Sequence, residues 1–301
     1  MRRIVGRAVS AVALAVFICA CGGQVIVSAP PRIALLSAFP AEMAPLLAQV
    51  SIDHIEVVND RVFRIGTLAG VPVVMGLTGI GLVNAATTTR AVLERFDVTG
   101  IVVSAVAGSS LQIGDVLVPE AWELKDGTTY ASYQPWLQLA GEIAASDTVS
   151  LDRCTVRADD PTEPPVCMLE QPVIVVGGIG QSTDPFHDKP FPCQPSGGDI
   201  YGCDIPSSPT PSGLARDHSA AVTFAAADVP APIANDMETA AIAREAAARG
   251  LPFIAFRAVS DGAGDPLDLP ALFGEFPAYY RFAAHNGAAL TVAFLERLAA
   301  Q

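Results

Sequence analysis

Residues 235–264, Asn235 to Gly264, read NDMETAAIAREAAARGLPFIAFRAVSDGAG. The order is helix, turn, buried strand and polar loop. Asn235 and Asp236 are N-cap candidates ahead of an alanine-rich helix. Gly250 is the expected stop, with Arg249 in the last turn. Pro252 to Val259 is a nearly continuous apolar run, the pattern of a strand covered on both faces. That strand contains one charge, Arg257, and ends in Ser260-Asp261. Glu238 therefore stands at a helix start, while Arg257, Ser260 and Asp261 stand at a strand's carboxyl end, where open α/β sheets bind ligands. A buried arginine needs a carboxylate partner. From spacing alone, a structural ion pair with a capping aspartate is as good a reading as a functional cluster.

The same grammar continues outward. RIALLSA (32–38) is a buried strand, and Pro40 opens a helix at a position where proline is tolerated. Met43, Leu46, Leu47 and Val50 form its apolar stripe. FRIGTLAG (63–70) and VPVVMGL (71–77) are strands joined at Gly70. Thr78-Gly79-Ile80-Gly81 then leads into a helix from about Val83-Asn84 to Phe96. Glycines at such a junction allow close backbone approach to a ligand and expose helix-start N–H groups. Gly100 to Val106 is another buried strand, ending in Ala107-Gly108-Ser109-Ser110, and GDVLVP (114–119) is a further short one. Residues 120–170 are less regular. Val173 to Val176 is a strand entering the glycine-rich GGIGQST (177–183), and Val222 to Ala226 is a candidate short strand. Residues 184–216 read as a long surface excursion rich in Pro, Gly, Ser and Cys. The last helix covers roughly Tyr280 to Ala299, with Phe282, Leu290, Phe294, Leu295 and Leu298 facing the core. This rhythm predicts an α/β fold, a sheet layered by helices.

The composition fits a substantial core: 51% of the 301 residues are hydrophobic and mean hydropathy is +0.41. A formal charge of −13 argues against nucleic-acid binding through phosphates. Arg2, Arg3 and Arg7 precede a short apolar segment, Ala8 to Cys19, as in a secretory signal. Ile18-Cys19-Ala20-Cys21 resembles a bacterial lipobox, which implies cleavage before Cys21 and lipidation of its thiol. The organisation expected is therefore a signal peptide (1–20), a lipidated linker (21–31) and one domain (32–301) with a Cys/Pro-rich insertion at about 152–216. An exported lipoprotein of the bacterial cell envelope would touch the membrane through its N-terminal lipid only. Cys154, Cys167, Cys193 and Cys203 then suggest two disulfides with three possible pairings. Sequential pairing closes the shortest loops. No C-x-x-C pair is present, so no zinc or other metal site is expected.

Four segments, RIALLSAFPAEM, GLTGIGLVNAA, VSAVAGSSLQIGDVLV and NDMETAAIA with FRAVSD, resemble the purine nucleoside phosphorylase/uridine phosphorylase superfamily. The nearest likeness is to methylthioadenosine/S-adenosylhomocysteine nucleosidases. It covers most of residues 32–300, with 120–230 matching poorly. It implies a three-layer αβα sandwich around a twisted mixed β-sheet, no cofactor, and a homodimer or larger homo-oligomer. Position by position, it implies that Glu42 activates water and that Thr78 lies near the ribose and the attacking water, with Gly79, Ala107 and Gly108 also binding substrate. Met237 would pack on the sugar and Glu238 bind its hydroxyls. Asp261 would protonate the purine N7, oriented by Ser260, with Arg257 near the nucleophile. Phe186 either stacks on the base or is core. Tyr133, Trp136, Phe273 and Phe276 line either the 5′ pocket or an oligomer interface.

These residue types suit N-glycosidic cleavage. Positive charge builds on the sugar beside carboxylates, and negative charge on the base is relieved by an acid. Asp261 must be protonated to act, which predicts a raised pKa through burial. Superfamily phosphorylases clamp phosphate with arginines in glycine-rich loops, whereas SAFPAEM and AVAGSSLQIGD contain none. Water is therefore the expected nucleophile. GGIGQSTDPF departs from the Gly-Asp-Ala-Phe pattern of the nucleosidases, which leaves the base open. A phosphorolytic enzyme and a non-catalytic nucleoside-binding lipoprotein are the competing readings.

Overall fold

The computed structural model describes residues 30–146, 148–205, 218–220, 223–225 and 232–301. The signal and lipobox expectations, Cys21 included, lie outside these residues, as do residues 206–216 of the predicted excursion.

In chain order the elements are β1 (Arg32–Ser37), α1 (Pro40–Leu47), β2 (Ser51–Val58), β3 (Arg61–Leu68), β4 (Val71–Leu77), α2 (Leu82–Arg95), β5 (Val98–Gln112), β6 (Val116–Val118), β7 (Ala121–Leu124), β8 (Thr129–Ala131) and α3 (Gln134–Ala145). Then follow β9 (Ser150–Asp152), β10 (Cys154–Thr155), β11 (Val166–Cys167), β12 (Ile174–Val176), β13 (Ile179–Ser182), α4 (Gly198–Tyr201), β14 (His218–Ala220), β15 (Thr223–Ala225), β16 (Ala234–Asp236), α5 (Thr239–Ala247), β17 (Phe253–Ala263) and α6 (Phe276–Ala299), the last preceded by a π-helical turn at Ala271–Glu275.

The sheet runs β15-β12-β6-β17-β5-β1-β4-β3-β2. β5 pairs in parallel with β1 and β17, while β6/β17, β3/β4 and β2/β3 are antiparallel. The sheet is therefore mixed, as expected. Its central strands are apolar along their whole length because both faces are covered. On β1, Ile33 and Leu35 face a core with Met43 and Leu46 of α1, Trp136 and Ile143 of α3, and Leu290 and Phe294 of α6. Ala34 and Leu36 face the opposite core with Ala85 and Val92 of α2 and Ile242 and Ala246 of α5. This is the three-layer αβα arrangement.

Two strands overrun their predicted ends, and both overruns matter for the site. The carboxyl end of β5 leaves the main sheet to meet β16, with Asn235 opposite Gly108. β16 in turn pairs with β13, and β13 with β7. β17 continues to Ala263, with register breaks on either side of Asp261. Such bulges re-aim side chains. The helix α3 was not anticipated, although Trp136, Leu139, Ala140 and Ile143 are spaced for one buried face. Trp136 is core, packed edge-on against Phe294. Phe276 packs on Phe39 and Tyr280, whereas Phe273 is 89% exposed.

Cys154 is bonded to Cys167 and Cys193 to Cys203, the sequential pairing. The first bond joins β10 to β11. The second closes a strap, residues 184–205, which lies over the starts of α1 and α2. The strands β12 and β13 fall within the 152–216 span yet pair in the main sheet system. Among the described residues no helix is long and apolar enough to cross a membrane.

Candidate active site

Arg257 is the centre of the site. It enters on β17 and is 1% exposed. Its Nη2 lies 2.7 Å from Asp236 and 3.4 Å from Glu238, and its Nη1 4.0 Å from Glu42. Nε donates to Thr239 Oγ1 at 2.9 Å and Nη1 to the Val106 carbonyl at 2.8 Å. Its face lies over the Trp122 ring, 5.9 Å from the centroid. Burial alone would pull the guanidinium pKa down. The carboxylates of Asp236, Glu238 and Glu42 more than offset this and hold it above its ordinary value.

Glu42 sits in the first turn of α1, 1% exposed. Its Oε2 accepts from the Ala38 N–H at 2.6 Å and the Phe39 N–H at 3.3 Å, and Oε1 from the Val106 N–H at 2.9 Å. Burial pushes its pKa up to about 8; Arg257 pulls against this and Glu238 adds to it. Glu238, the residue before α5, accepts from the Gly81 N–H at 2.9 Å. Burial pushes it up to about 7, with Arg257 opposing and Asp236 reinforcing.

Asp261 is held at the bulge in β17, opposite Gly108. A Cβ on Gly108 would lie 2.7 Å from Asp261 Oδ2, so only glycine leaves room for the carboxyl group. Ser260 Oγ donates to Asp261 Oδ1 at 2.8 Å and lies 3.4 Å from the Ala107 carbonyl. Burial raises the Asp261 pKa, and the Ser260 hydrogen bond holds it back.

Thr78 is fully buried and donates to the Gly79 carbonyl at 2.9 Å. Gly79 and Gly81 have φ of +75° and +97°, backbone that a side chain would strain. Met237 lies between Asp236 and Glu238 and is half-buried. Phe186 belongs to the strap. It stacks on Phe191 with ring centroids 4.7 Å apart and lies against Gly81, where a Cβ would be 2.8 Å from its ring.

The structure thus gathers Glu42, Glu238 and Arg257, and puts Asp261, Ser260, Ala107 and Gly108 on adjacent strands. Asp236 has a larger part than capping. It accepts from the Thr239 N–H at 3.3 Å, and from the Ser182 and Thr239 hydroxyls, and is also the nearest carboxylate to Arg257. Ser182 in turn accepts from the Ala240 N–H at 2.8 Å. Arg257's need for a partner was the signal that could have found Asp236. Nothing in the spacing pointed to Ser182, because it arrives on a separate strand.

The chain can now be set beside known proteins. A 5′-methylthioadenosine/S-adenosylhomocysteine nucleosidase of Tolumonas auensis is 28% identical over 278 residues, 89% of this chain and 100% of that protein. An uncharacterised protein of Mycobacterium tuberculosis is 32% identical over 200 residues, 58% of this chain and 77% of that one. Among solved structures, the Helicobacter pylori 5′-methylthioadenosine/S-adenosylhomocysteine nucleosidase aligns with a TM-score of 0.60 at 18% identity, covering 89% of this chain and 98% of that one. The futalosine hydrolase of the same organism aligns at 0.59 and 18%, with the same coverage. At such identities the likeness speaks for the fold. The family model described as the phosphorylase superfamily matches residues 32–296, and the chain belongs to that superfamily.

Proposed function

We propose that the chain is a nucleosidase that hydrolyses the N-glycosidic bond of purine nucleosides or 5′-thionucleosides. One observation carries the reading. Glu42 holds the Val106 N–H, and Asp261 lies against Gly108. Val106 and Gly108 are two residues apart on one strand, roughly 7 Å, so both carboxyl groups are held at the same end of β5. Glu238 bounds the same space from the start of α5.

The chemistry follows from the charges. Glu42 as carboxylate takes a proton from water while the water oxygen bonds to C1′. The C1′–N bond breaks with its electron pair going to the base, and protonated Asp261 gives its proton to the base nitrogen. Glu238 accepts from the ribose hydroxyls, and the carboxylates together stabilise the cationic sugar. Free base and free sugar leave, and the two acids return to their starting states through solvent. No step needs a cofactor.

Water is favoured over phosphate by the state of Arg257. Its donors go to two carboxylates, a threonine hydroxyl and a backbone carbonyl, and the surrounding cluster is acidic. A phosphate dianion would meet repulsion and no spare guanidinium edge there. The relatives named as nucleosidases support the same choice. A panel of purine and 5′-thio nucleosides, assayed with and without phosphate, tests it. Free base and free sugar at a rate independent of phosphate is the expected result; ribose 1-phosphate as product would make the enzyme a phosphorylase, and tight binding without turnover would make it a receptor.

The site of action is proposed from sequence alone. Arg2, Arg3 and Arg7, the apolar stretch and Cys21 support an exported, lipid-anchored protein. Cys21→Ala should abolish incorporation of a labelled fatty acid in cells; undiminished labelling would exclude Cys21 as the anchor.

A further inference from the structure

Asp261 is aimed by a break in the ladder between β17 and β5. Asp261 stands opposite Gly108 and Ala263 opposite Gln112, so Gly262 alone faces Ser109, Ser110 and Leu111. A Cβ on Gly262 would run into the Leu111 and Ser109 carbonyls, so β5 presses its backbone from one side. Its N–H, outside the ladder, donates to Glu275 Oε2 at 2.9 Å. Glu275 therefore holds the peptide unit that directly follows the proposed acid.

Helix capping does not explain this glutamate. It is the residue before α6, where an acid favours the helix start, yet its side chain makes no capping hydrogen bond there. The residue is 7% exposed, and a buried carboxylate needs a specific partner. Its own place is fixed from both sides. It runs directly into α6, and the loop before it is tied to the same helix by Asp265. That carboxylate accepts from the Leu267 and Leu269 N–H groups at 3.0 and 2.6 Å and from the Tyr279 hydroxyl. The charges acting on Glu275 are carboxylates alone. Burial raises its pKa, Asp265 and Asp261 add to this, and the Gly262 N–H opposes them. Arg157 acts on Tyr279 and is paired with Asp159.

Resting on the nucleosidase reading, we propose that Glu275 is a positioning residue for protonation of the leaving base: by holding the Gly262 N–H it fixes the bulge that points Asp261 at the base nitrogen. A second carboxylate beside Asp261 also disfavours ionisation of that acid, which keeps its proton available. The two effects are separable. Glutamine at 275 keeps an oxygen for the Gly262 N–H and loses the charge, whereas alanine loses both. Glu275 touches neither substrate nor reacting atoms in this scheme, so its removal should be felt only where Asp261 is needed.

The test compares two substrates on the full chain. 5′-Deoxy-5′-(methylthio)adenosine has a base that leaves as a protonated species, and 4-nitrophenyl β-D-ribofuranoside has a leaving group that needs no proton. Glu275→Ala should lower kcat on the nucleoside by about tenfold or more, with KM within about threefold, because misplacement of the acid costs rate rather than binding. The nitrophenyl riboside should change by less than about twofold. Glu275→Gln should keep most of kcat at its optimum and move the alkaline fall of kcat/KM to lower pH. In an Asp261→Asn background, Glu275→Ala should cost less than about twofold more. Equal losses on both substrates, an unmoved alkaline fall in Glu275→Gln, or a full further loss in the Asp261→Asn background would make Glu275 structural and overturn the proposal. If wild type cleaves neither substrate, the nucleosidase reading fails instead. Carboxyl-carbon NMR titration of Asp261, assigned with Asp261→Asn, then decides whether Glu275 acts on it. A lower Asp261 pKa in Glu275→Gln is the expected result, and identical titrations overturn the link.

Discussion

The charge cluster around Arg257 and the strap over residues 184–205 meet at the turn Thr78–Gly81, yet they are held by different means. The cluster hangs on core elements. Arg257 comes from β17, Glu42 from α1, and Asp236 and Glu238 from the approach to α5. Each of the four side chains is less than 10% exposed. The strap touches the fold at its surface. Arg64 meets Asp204 at 2.7 Å and Arg281 Nε meets Asp199 at 2.7 Å, Asn84 donates to the Phe191 carbonyl, and one disulfide closes the loop. Asp204 is 41% exposed, and pairs of that kind contribute little. The difference separates two jobs. Groups that move protons need fixed distances and low dielectric, which only the core supplies. Groups that choose among substrates can sit on an added loop without disturbing them.

If the cluster is the catalytic part, the largest losses must follow changes there and at Asp261. Asp261→Asn and Glu42→Gln should each lower kcat by about 10²–10⁴-fold, with circular dichroism unchanged. Turnover within a few-fold of wild type for either would remove that residue from the mechanism. The pH dependence sharpens the assignment. Glu42 must be ionised and Asp261 protonated, yet Glu42 is the one raised to about 8. Below pH 8 the reactive form is therefore the minority form, and kcat/KM should rise with pH as Glu42 ionises until loss of the Asp261 proton opposes it. Glu42→Gln should erase the rising limb; its persistence would assign that limb elsewhere.

The next largest effect belongs to stability, and again to the cluster. Arg257→Met leaves Glu42, Asp236 and Glu238 buried without their cation. Breaking a buried ionic network in this way costs about 3–5 kcal/mol, or roughly 10 °C in Tm for a domain of this size. The cost should depend on pH in a stated direction. Glu42 and Glu238 have folded pKa values near 8 and 7, above their unfolded value of 4.5. Each bears a stabilising proton below pH 4.5 and loses that contribution as pH rises through the folded value. Without Arg257 the carboxylates are harder still to ionise. The Tm gap between wild type and Arg257→Met should widen from pH 5 to pH 8.5, and a constant gap would mean that Arg257 does not neutralise them.

The same contrast governs what could be read before the structure. The strand periodicity, the buried arginine and the acids at helix and strand ends are local signals, and they located β1, α1, α5 and β17. The overruns of β5 and β17 were not legible, because they depend on β16 and β13 arriving to pair with them, and pairing is a long-range event. Asp236 was legible only as a cap, since its second role requires β17 to lie alongside. The helix α3 was passed over because Gly141 interrupts it and Tyr133 at its start offers no side-chain cap. The strap was legible as a loop and in its disulfide, not in its placement. Proline, glycine and cysteine announce a loop, but where it lies is set by Arg64, Asn84 and Arg281, residues that read alone as ordinary surface cations and a helix-start amide.

The smallest catalytic effect, and the most discriminating, should come from opening the strap. Cys193→Ser with Cys203→Ser removes the one covalent closure of residues 184–205. A loop this short gives up about 2–3 kcal/mol of constraint at most, spent locally because the strap rests on surface pairs. Proteolysis within 184–205 should quicken by about tenfold or more, and mild reductant should have the same effect on wild type. Because no catalytic side chain of the cluster is anchored by the strap, kcat on a 5′-methylthio nucleoside should change by less than about threefold. If kcat fell as steeply as with Glu42→Gln, the Phe186 contact on Gly81 would be the cause. That contact runs from the strap to Glu238 through the Gly81 N–H, and the division between core and strap would then have to be redrawn at that glycine.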